Sequence, residues 1–543
     1  MARDPAADRD ALRAIQVSAQ AGQHAQAAAL AEAARADGLE HPLIYNVLAL
    51  QRELAGKLSE AEELLRHAVR LAPGDLASRN ALGLCLLRLE RPQEALAQFE
   101  SLLAANPSLA FLHTSRGSAL FALGRVGDAE ASFQRALELD ERQPVALAGL
   151  ANIASSRGAY AAARGWAEKA LQLLPGYPEA ILSLASTDLG ERVPWQAQSR
   201  MRDFLARDDL APLFRAYANG LIGDALDAQS RTDDAFAAYS QCNEILREVH
   251  GSRFQSLPGA LQYARSLAEY LRRTPPSAWR TPAQRAGHLD PASKHYFILG
   301  FPRSGTTLLE VVLEGHEQVV SLEENESLID GIREFMQRPE DLDRLLQAPA
   351  ASLDALRQAY WRRAAQAGAR VAGKVFVDKN PLNTLKLPLI ARLFPNAKIL
   401  FACRDPRDVV LSCFRHRFRM SAPIFELLTV QGAAAYYDAV MRVLLECTRL
   451  LPLEVCLVRH EDLVTEFARE MRRVCDFLGI EWMPAMGDFA LRTQHRETLT
   501  PSTAQLVRGL NTEGLGHWHR YRRQLEPVLP VLEPWIEQFY YDA

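Results

Sequence analysis

Cysteine is scarce in this chain, and its placement follows no pattern. Seven cysteines are scattered through 543 residues, with no C-x-x-C pair and no His/Cys cluster at zinc-ligand spacing. That usage excludes a disulfide-stapled scaffold and a zinc-built module, and it fits a reducing compartment. Long apolar runs are missing as well: none approaches the ~18 residues that a membrane-spanning helix needs. The opening stretch MARDPAADRDALR mixes acids with its basic residues and has no apolar core, so it does not read as a secretory signal. The expectation is a cytoplasmic protein. A charge excess is the third absence. With 62 Lys+Arg against 66 Asp+Glu, the formal net charge of −4 gives no global reason to expect nucleic acid or a membrane surface as a partner. Any anion site must therefore be local.

What is present falls into two styles. The first half is rich in Ala and Leu and repeats every 34 residues: Ala27, Ala61, Ala95, Ala129 and Ala163 share one phase. Ala34, Ala68, Leu102, Ala136 and Ala170 share a second, and Gly22, Gly56, Gly124 and Gly158 mark the turn inside each unit. Small residues at fixed phase let paired helices approach closely. The pattern resembles the tetratricopeptide repeat, with five units over about residues 8–177. A degenerate stretch with Pro194 and Trp195 follows, then one more unit carrying Gly223, Ala235 and Tyr239 at matching spacing. The implied division is an all-α repeat array over 8–250, a helical and Pro-rich linker over 251–291 and a second domain over 292–543. The concave face of such an array is expected to take a peptide or partner protein; the alternative is a packing or homodimer surface.

The second half opens on Tyr296–Thr307, YFILGFPRSGTT, an apolar strand running through a glycine-bearing loop into a helix. Gly300 and Gly305 keep the spacing of a triphosphate-binding loop, but Thr306 stands where that loop has its lysine. Strand, loop and helix N-terminus aim several N–H groups at one point, which makes an anion site, and Arg303 adds a guanidinium. Without the lysine, metal-assisted transfer from a triphosphate is disfavoured.

The string PRSGTTLLE resembles the 5′-phosphosulfate loop of sulfotransferases that use 3′-phosphoadenosine 5′-phosphosulfate (PAPS), the tyrosylprotein sulfotransferases among them. The resemblance implies an α/β domain with a central parallel sheet, in which Pro302, Arg303, Ser304, Gly305, Thr306 and Thr307 hold the donor. A second match, KILFACRDPRDVVLS, puts Arg404 and Ser412 on the donor's 3′-phosphate. It further implies Glu324, 21 residues past Arg303, as the base, with Glu323 and Glu326 as alternates. Lys379, closing VFVDK, is implied on the bridging oxygen, Thr503 near the leaving group, and His517 where the family has Lys or Arg against a phosphate. His460, in HEDL, departs from the family's Tyr and receives no nucleotide role. The run Arg415, His416, Arg417, Arg419 reads either as a face for an acidic acceptor or as a solvated charge run. The expected activity is sulfuryl transfer from PAPS to an acceptor hydroxyl, a peptide tyrosine being one candidate, with no metal. The rivals are an ATP–magnesium kinase and a non-catalytic repeat scaffold.

Overall fold

Between residues 5 and 173 the chain is a succession of helix pairs. Pro5–Gln20 lies against His24–Ala36, Pro42–Leu54 against Leu58–Leu71, and Leu76–Arg88 against Pro92–Ala105. Ala110–Ala122 with Val126–Leu139 and Pro144–Ser156 with Tyr160–Leu173 complete the five units expected from the 34-residue period. The structure, a computed structural model, describes residues 4–255, 259–279, 290–322, 324–494 and 503–541. These residues divide into two compact units, one ending at Leu184 and the other beginning at Ala185.

The periodic alanines are the buried seams of the first unit: Ala61, Ala95, Ala129 and Ala163 are fully inaccessible. The helix–helix turns obey one rule. Gly22, Gly56, Gly124 and Gly158 all adopt left-handed φ of +72° to +79°. No atom lies within 4 Å of a Cβ added at Gly22, Gly56 or Gly124, so glycine is there for its backbone and not for space. Glu90 occupies the same phase in the third unit and takes φ +57° without being glycine. Its turn closes as at Gly124: Glu90 N–H donates to Leu87 O at 3.0 Å and Arg91 N–H to Leu86 O at 2.9 Å.

The second unit begins with helices and ends with a sheet. Pro212–Ala228 and Thr232–Phe254 form another repeat-type pair. A Cβ on Gly223 would sit 2.4 Å from the Tyr239 ring, the device by which Gly83 admits Phe99 and Gly117 admits Phe133 in the first unit. The helical part of the 251–291 linker is Ala260–Arg273; it lies on the long helix Val430–Leu450 and shares the sheet's core. Most of the Pro-rich join lies at 280–289, outside the described residues.

Five parallel strands make the sheet: β1 (Lys294–Leu299), β2 (Val319–Leu322), β3 (Val375–Lys379), β4 (Lys398–Cys403) and β5 (Glu454–Arg459). Their order is β2-β3-β1-β4-β5, which puts the glycine-loop strand at the centre. Alternate side chains enter opposite cores, Phe297, Leu299, Phe376 and Phe401 on one face and Tyr296, Ile298, Val377 and Leu400 on the other. Burial on both faces explains the near-continuous apolar strands. All carboxyl ends lie on one edge, where open α/β sheets bind ligands. Among the described residues, no helix is long and apolar enough to cross a membrane.

Placing a side chain in left-handed φ costs roughly 1 kcal/mol relative to glycine. Glu90→Gly is therefore expected to raise the stability of the full chain by about that amount in denaturant titration, and Gly56→Ala to lower it similarly.

Candidate active site

The site is assembled from the carboxyl ends of β1, β3, β4 and β5. Gly300 ends β1 and touches its neighbours closely: a Cβ there would fall 2.6 Å from Ala402 O of β4. Its N–H donates to Pro381 O at 3.1 Å, and its carbonyl accepts the Thr384 hydroxyl at 2.8 Å. The loop that follows is wound tightly, with Arg303 at φ +70° and Gly305 at φ +95°. Ser304, Thr306 and Thr307 are buried at its base, and the helix Thr306–Leu313 begins there.

Two elements about 100 residues apart in the motifs meet here. Arg303 Nε donates to the Ser412 hydroxyl at 3.0 Å, and the Arg303 carbonyl lies 3.5 Å from Arg404 Nη1. Cys413 Sγ contacts Pro302 O at 3.4 Å. Burial, and then the neighbouring cations Arg404 and Arg415, bring the Arg303 guanidinium down to about 10, still charged at neutral pH. The C-terminal segment closes over the same point. Asp408 accepts the N–H groups of Gly516 and Trp518, each at 2.8 Å, Arg404 donates to Gly514 O, and Arg407 stacks on Trp518 at 3.9 Å. Gln505 Oε1 lies 3.3 Å from Arg303 Nη2, and Thr503 is buried at the start of the same short helix.

One strand over, Lys379 ends β3 with no accessible surface. Its ammonium lies 2.9 Å from Glu324 Oε1 and 3.5 Å from Glu310 Oε2. The Glu324 side chain is 53% exposed whereas that of Glu310 is fully buried, so only Glu324 meets solvent and an incoming molecule. Glu326 is engaged elsewhere, by Lys386 at 2.8 Å and Asn380 at 3.4 Å. Glu323 lies outside the described residues.

Three residues gain significance that the motifs alone did not assign. Glu310 is the glutamate of the Leu-Leu-Glu continuation, and His460 is the histidine of the HEDL segment that follows β5. His460 Nδ1 would lie 2.7 Å from a Cβ on Gly305 and has no hydrogen-bond partner among the described residues. Burial, then Arg404 and Arg303, push its imidazole down to about 3, so it stands neutral against the loop. Gln505 is the third; no local pattern marks it.

The basic run after Ser412 is tied inward rather than laid out as a solvated face. Arg415 donates to Asp227 at 2.7 Å and Arg417 to Asp224 at 2.5 Å, both aspartates on the repeat-type helix Pro212–Ala228. Of the four residues only Arg419 is exposed. Asp227 also accepts the Tyr521 hydroxyl at 2.7 Å and lies 3.2 Å from both His517 Nε2 and Arg520 Nη2. Burial alone would raise the Asp227 carboxyl, but the Arg415 charge and the Tyr521 hydroxyl hold it well below the usual carboxylate range. His517 Nε2 also lies 2.6 Å from Arg415 Nη1. Since Arg only donates, the ring nitrogen there is an acceptor.

The cradle suits a phosphorylated donor. Donor groups converge on it, and the buried Arg404 Nε has no hydrogen-bond partner among the described residues. The comparisons agree on the class. Residues 296–484 match the Sulfotransferase family model, and residues 12–75, 55–110 and 114–178 match the Tetratricopeptide repeat. The chain carries a sulfotransferase-family domain behind tetratricopeptide repeats.

Particular relatives sharpen the kinship. Protein-tyrosine sulfotransferase A of Caenorhabditis elegans is 26% identical over 239 residues, 42% of this chain and 61% of that protein. Protein-tyrosine sulfotransferase 2 of Gallus gallus is 27% identical over 238 residues, 41% of this chain and 62% of that one. An Aquifex aeolicus protein, 25% identical, matches 59% of this chain and 41% of its own length. The chain thus spans about 41–62% of the length of these relatives. A solved tetratricopeptide repeat protein from Parabacteroides merdae aligns with 44% of this chain and 93% of its own, at 19% identity and TM-score 0.35.

Removing the Asp227 carboxylate strands buried cations, a loss of about 3 kcal/mol. Asp227→Ala should lower stability by that order in denaturant titration. The sign of the pH dependence follows from the depressed carboxyl. Its contribution is complete above about pH 4, the unfolded value, and is lost as pH falls further towards the folded value. The wild-type advantage over Asp227→Ala should therefore be flat from pH 5 to 8 and shrink only in stronger acid.

Proposed function

We propose that this chain transfers a sulfuryl group from PAPS to an acceptor hydroxyl by a single in-line displacement. The observation that carries the reading is the Lys379–Glu324 pair at 2.9 Å, one strand over from an anion loop joined to Ser412 through Arg303. An acid–base couple at the mouth of a phosphate cradle is what such a transfer needs.

The donor supplies an activated sulfur: its bond to the bridging oxygen breaks as the acceptor oxygen bonds to sulfur, and the electron pair leaves with adenosine 3′,5′-bisphosphate. The residues of this chain do the rest. Backbone N–H groups of Arg303, Gly305, Thr306 and Thr307 hold the 5′ end, with Pro302 and Ser304 shaping the loop, and Arg404 and Ser412 hold the 3′-phosphate. Arg303 bridges the two halves. Glu324, solvent-facing, takes the acceptor's proton. Lys379 stabilises the charge that grows on the leaving oxygen, an interaction felt mainly in the transition state. Thr503 stands by the leaving group. His517 contributes by orienting Arg415 rather than by gripping phosphate itself. Cations of the chain neutralise the donor, so no metal is invoked.

The relatives' names favour a peptide tyrosine as acceptor. The repeats then present the acceptor protein or a second partner on their concave face, with a homodimer as the other use of that surface. The setting is cytoplasmic on this reading.

Thermal melts with adenosine 3′,5′-bisphosphate and with ATP–magnesium provide the first test. The bisphosphate should stabilise the chain by about 2.7 kcal/mol at a hundredfold excess over Kd, and ATP–magnesium should not. Stabilisation by ATP–magnesium alone would favour a kinase, and by neither a non-catalytic scaffold. Transfer of labelled sulfate to tyrosine-peptide and phenol pools follows. Glu324→Gln should lose roughly 10²- to 10⁴-fold in kcat with nucleotide binding retained; an undiminished rate removes Glu324 as base.

A further inference from the structure

Glu310 has no part in the transfer as written above, and its position calls for a physical reason. It lies mid-way along Thr306–Leu313, all eight of whose residues are buried, and it is that helix's only charge. An uncompensated buried carboxylate costs several kcal/mol, and an apolar residue would pack there without that cost. Glu310 is held from two sides. Its Oε2 lies 3.5 Å from the Lys379 ammonium, and its Oε1 accepts the Ser321 hydroxyl of β2 at 3.0 Å. Glu314 Oε1 lies 2.5 Å from the same hydroxyl, whose one proton serves one carboxylate at a time.

Among the described residues, the other charges near Lys379 cannot take Glu310's place. Glu324 is paired with it but exposed. Asp378, next along β3, points to the opposite face, where Tyr360 holds it at 2.8 Å and Asn383 at 3.3 Å. Glu326 is taken by Lys386. Once Glu324 has taken the acceptor's proton it is neutral and no longer offers Lys379 a counter-charge. The ammonium is then left in a fully buried position, where desolvation disfavours the charged form. Among the described residues, Glu310 is the carboxylate that stays.

We propose that Glu310 is a positioning residue for the transfer step, an inference that rests on the function proposed above. It holds the Lys379 ammonium charged and aimed at the leaving oxygen as Glu324 takes up the acceptor proton. The carboxylate touches neither donor nor acceptor. Its effect is exerted wholly through Lys379.

The test is kinetic and starts with the wild type, whose bisphosphate binding and sulfate transfer establish the reaction itself; absence of both overturns the function and this inference with it. With transfer established, Glu310→Gln is expected to lower kcat about 10- to 100-fold while the donor KM stays within about threefold. Glu310→Asp should recover part of the loss. In a Lys379→Met background, Glu310→Gln should cost nothing further, because the pathway of its effect is gone. If Glu310→Gln does not fold, Ser321→Ala, which frees Glu310 Oε1, should give a smaller loss confined to kcat. A Glu310→Gln rate within about twofold of wild type overturns the inference, as does a loss that persists undiminished beside Lys379→Met, or an unchanged kcat in Ser321→Ala when that variant carries the test.

Discussion

Lys379 has no accessible surface, and its ammonium lies between Glu310 and Glu324 at the end of a central strand. A charge in that position dictates much of what surrounds it. It requires a carboxylate inside an otherwise apolar helix, and that helix is the one leaving the anion loop. It requires a hydroxyl on β2 to hold the carboxylate. The register Ile298 against Lys379 then sets the ammonium one strand from Gly300, where the loop begins. Cradle and ammonium are fixed to each other by the sheet itself, so the separation between phosphate grip and transfer chemistry is a property of strand pairing and not of a mobile loop.

The same demand recurs on the other side of the cradle. Arg415 and Arg417 follow Ser412 into a buried position, and their counter-charges come from Asp227 and Asp224. Those aspartates lie on a helix of the repeat type, about 190 residues earlier in the chain. The last repeat-like pair is thus part of the compact unit that holds the donor site, whereas the five regular pairs form a unit of their own. A helix pair of the repeat type supplies the counter-charges for the segment that follows Ser412.

How much of this was legible beforehand depended on sequence range. The 34-residue period, the glycine turns and the PRSGTT and RDPRDVVLS strings are local, and each led to the element observed. The Arg303–Ser412 bond and the Lys379–Glu324 pair join residues that the motifs had already marked. Arg415 and Arg417 looked like a surface run because their partners are distant, and no local signal reports a distant aspartate. Glu310 was visible only as the third letter of Leu-Leu-Glu; its meaning needed the third dimension, since a lone glutamate on an apolar helix has no face to betray it. Glu90 hid a turn for the opposite reason. The hydrogen bonds of the flanking helices impose left-handed backbone there whatever residue is supplied.

Asp408 accepts its two backbone hydrogen bonds from Gly516 and Trp518, residues 108 and 110 positions further on. During synthesis the loop, the strands and Arg404 therefore emerge long before the segment that closes over them. A nascent chain shorter than about residue 518 carries the loop and Arg404 without their cover, and on the function proposed a nucleotide captured at that stage would be held in a half-open cup. Ligand cannot exert its full stabilising pull on folding until that segment has been made. Asp227, by contrast, waits from early on for Arg415, so that ion pair can form first and receive the cover last.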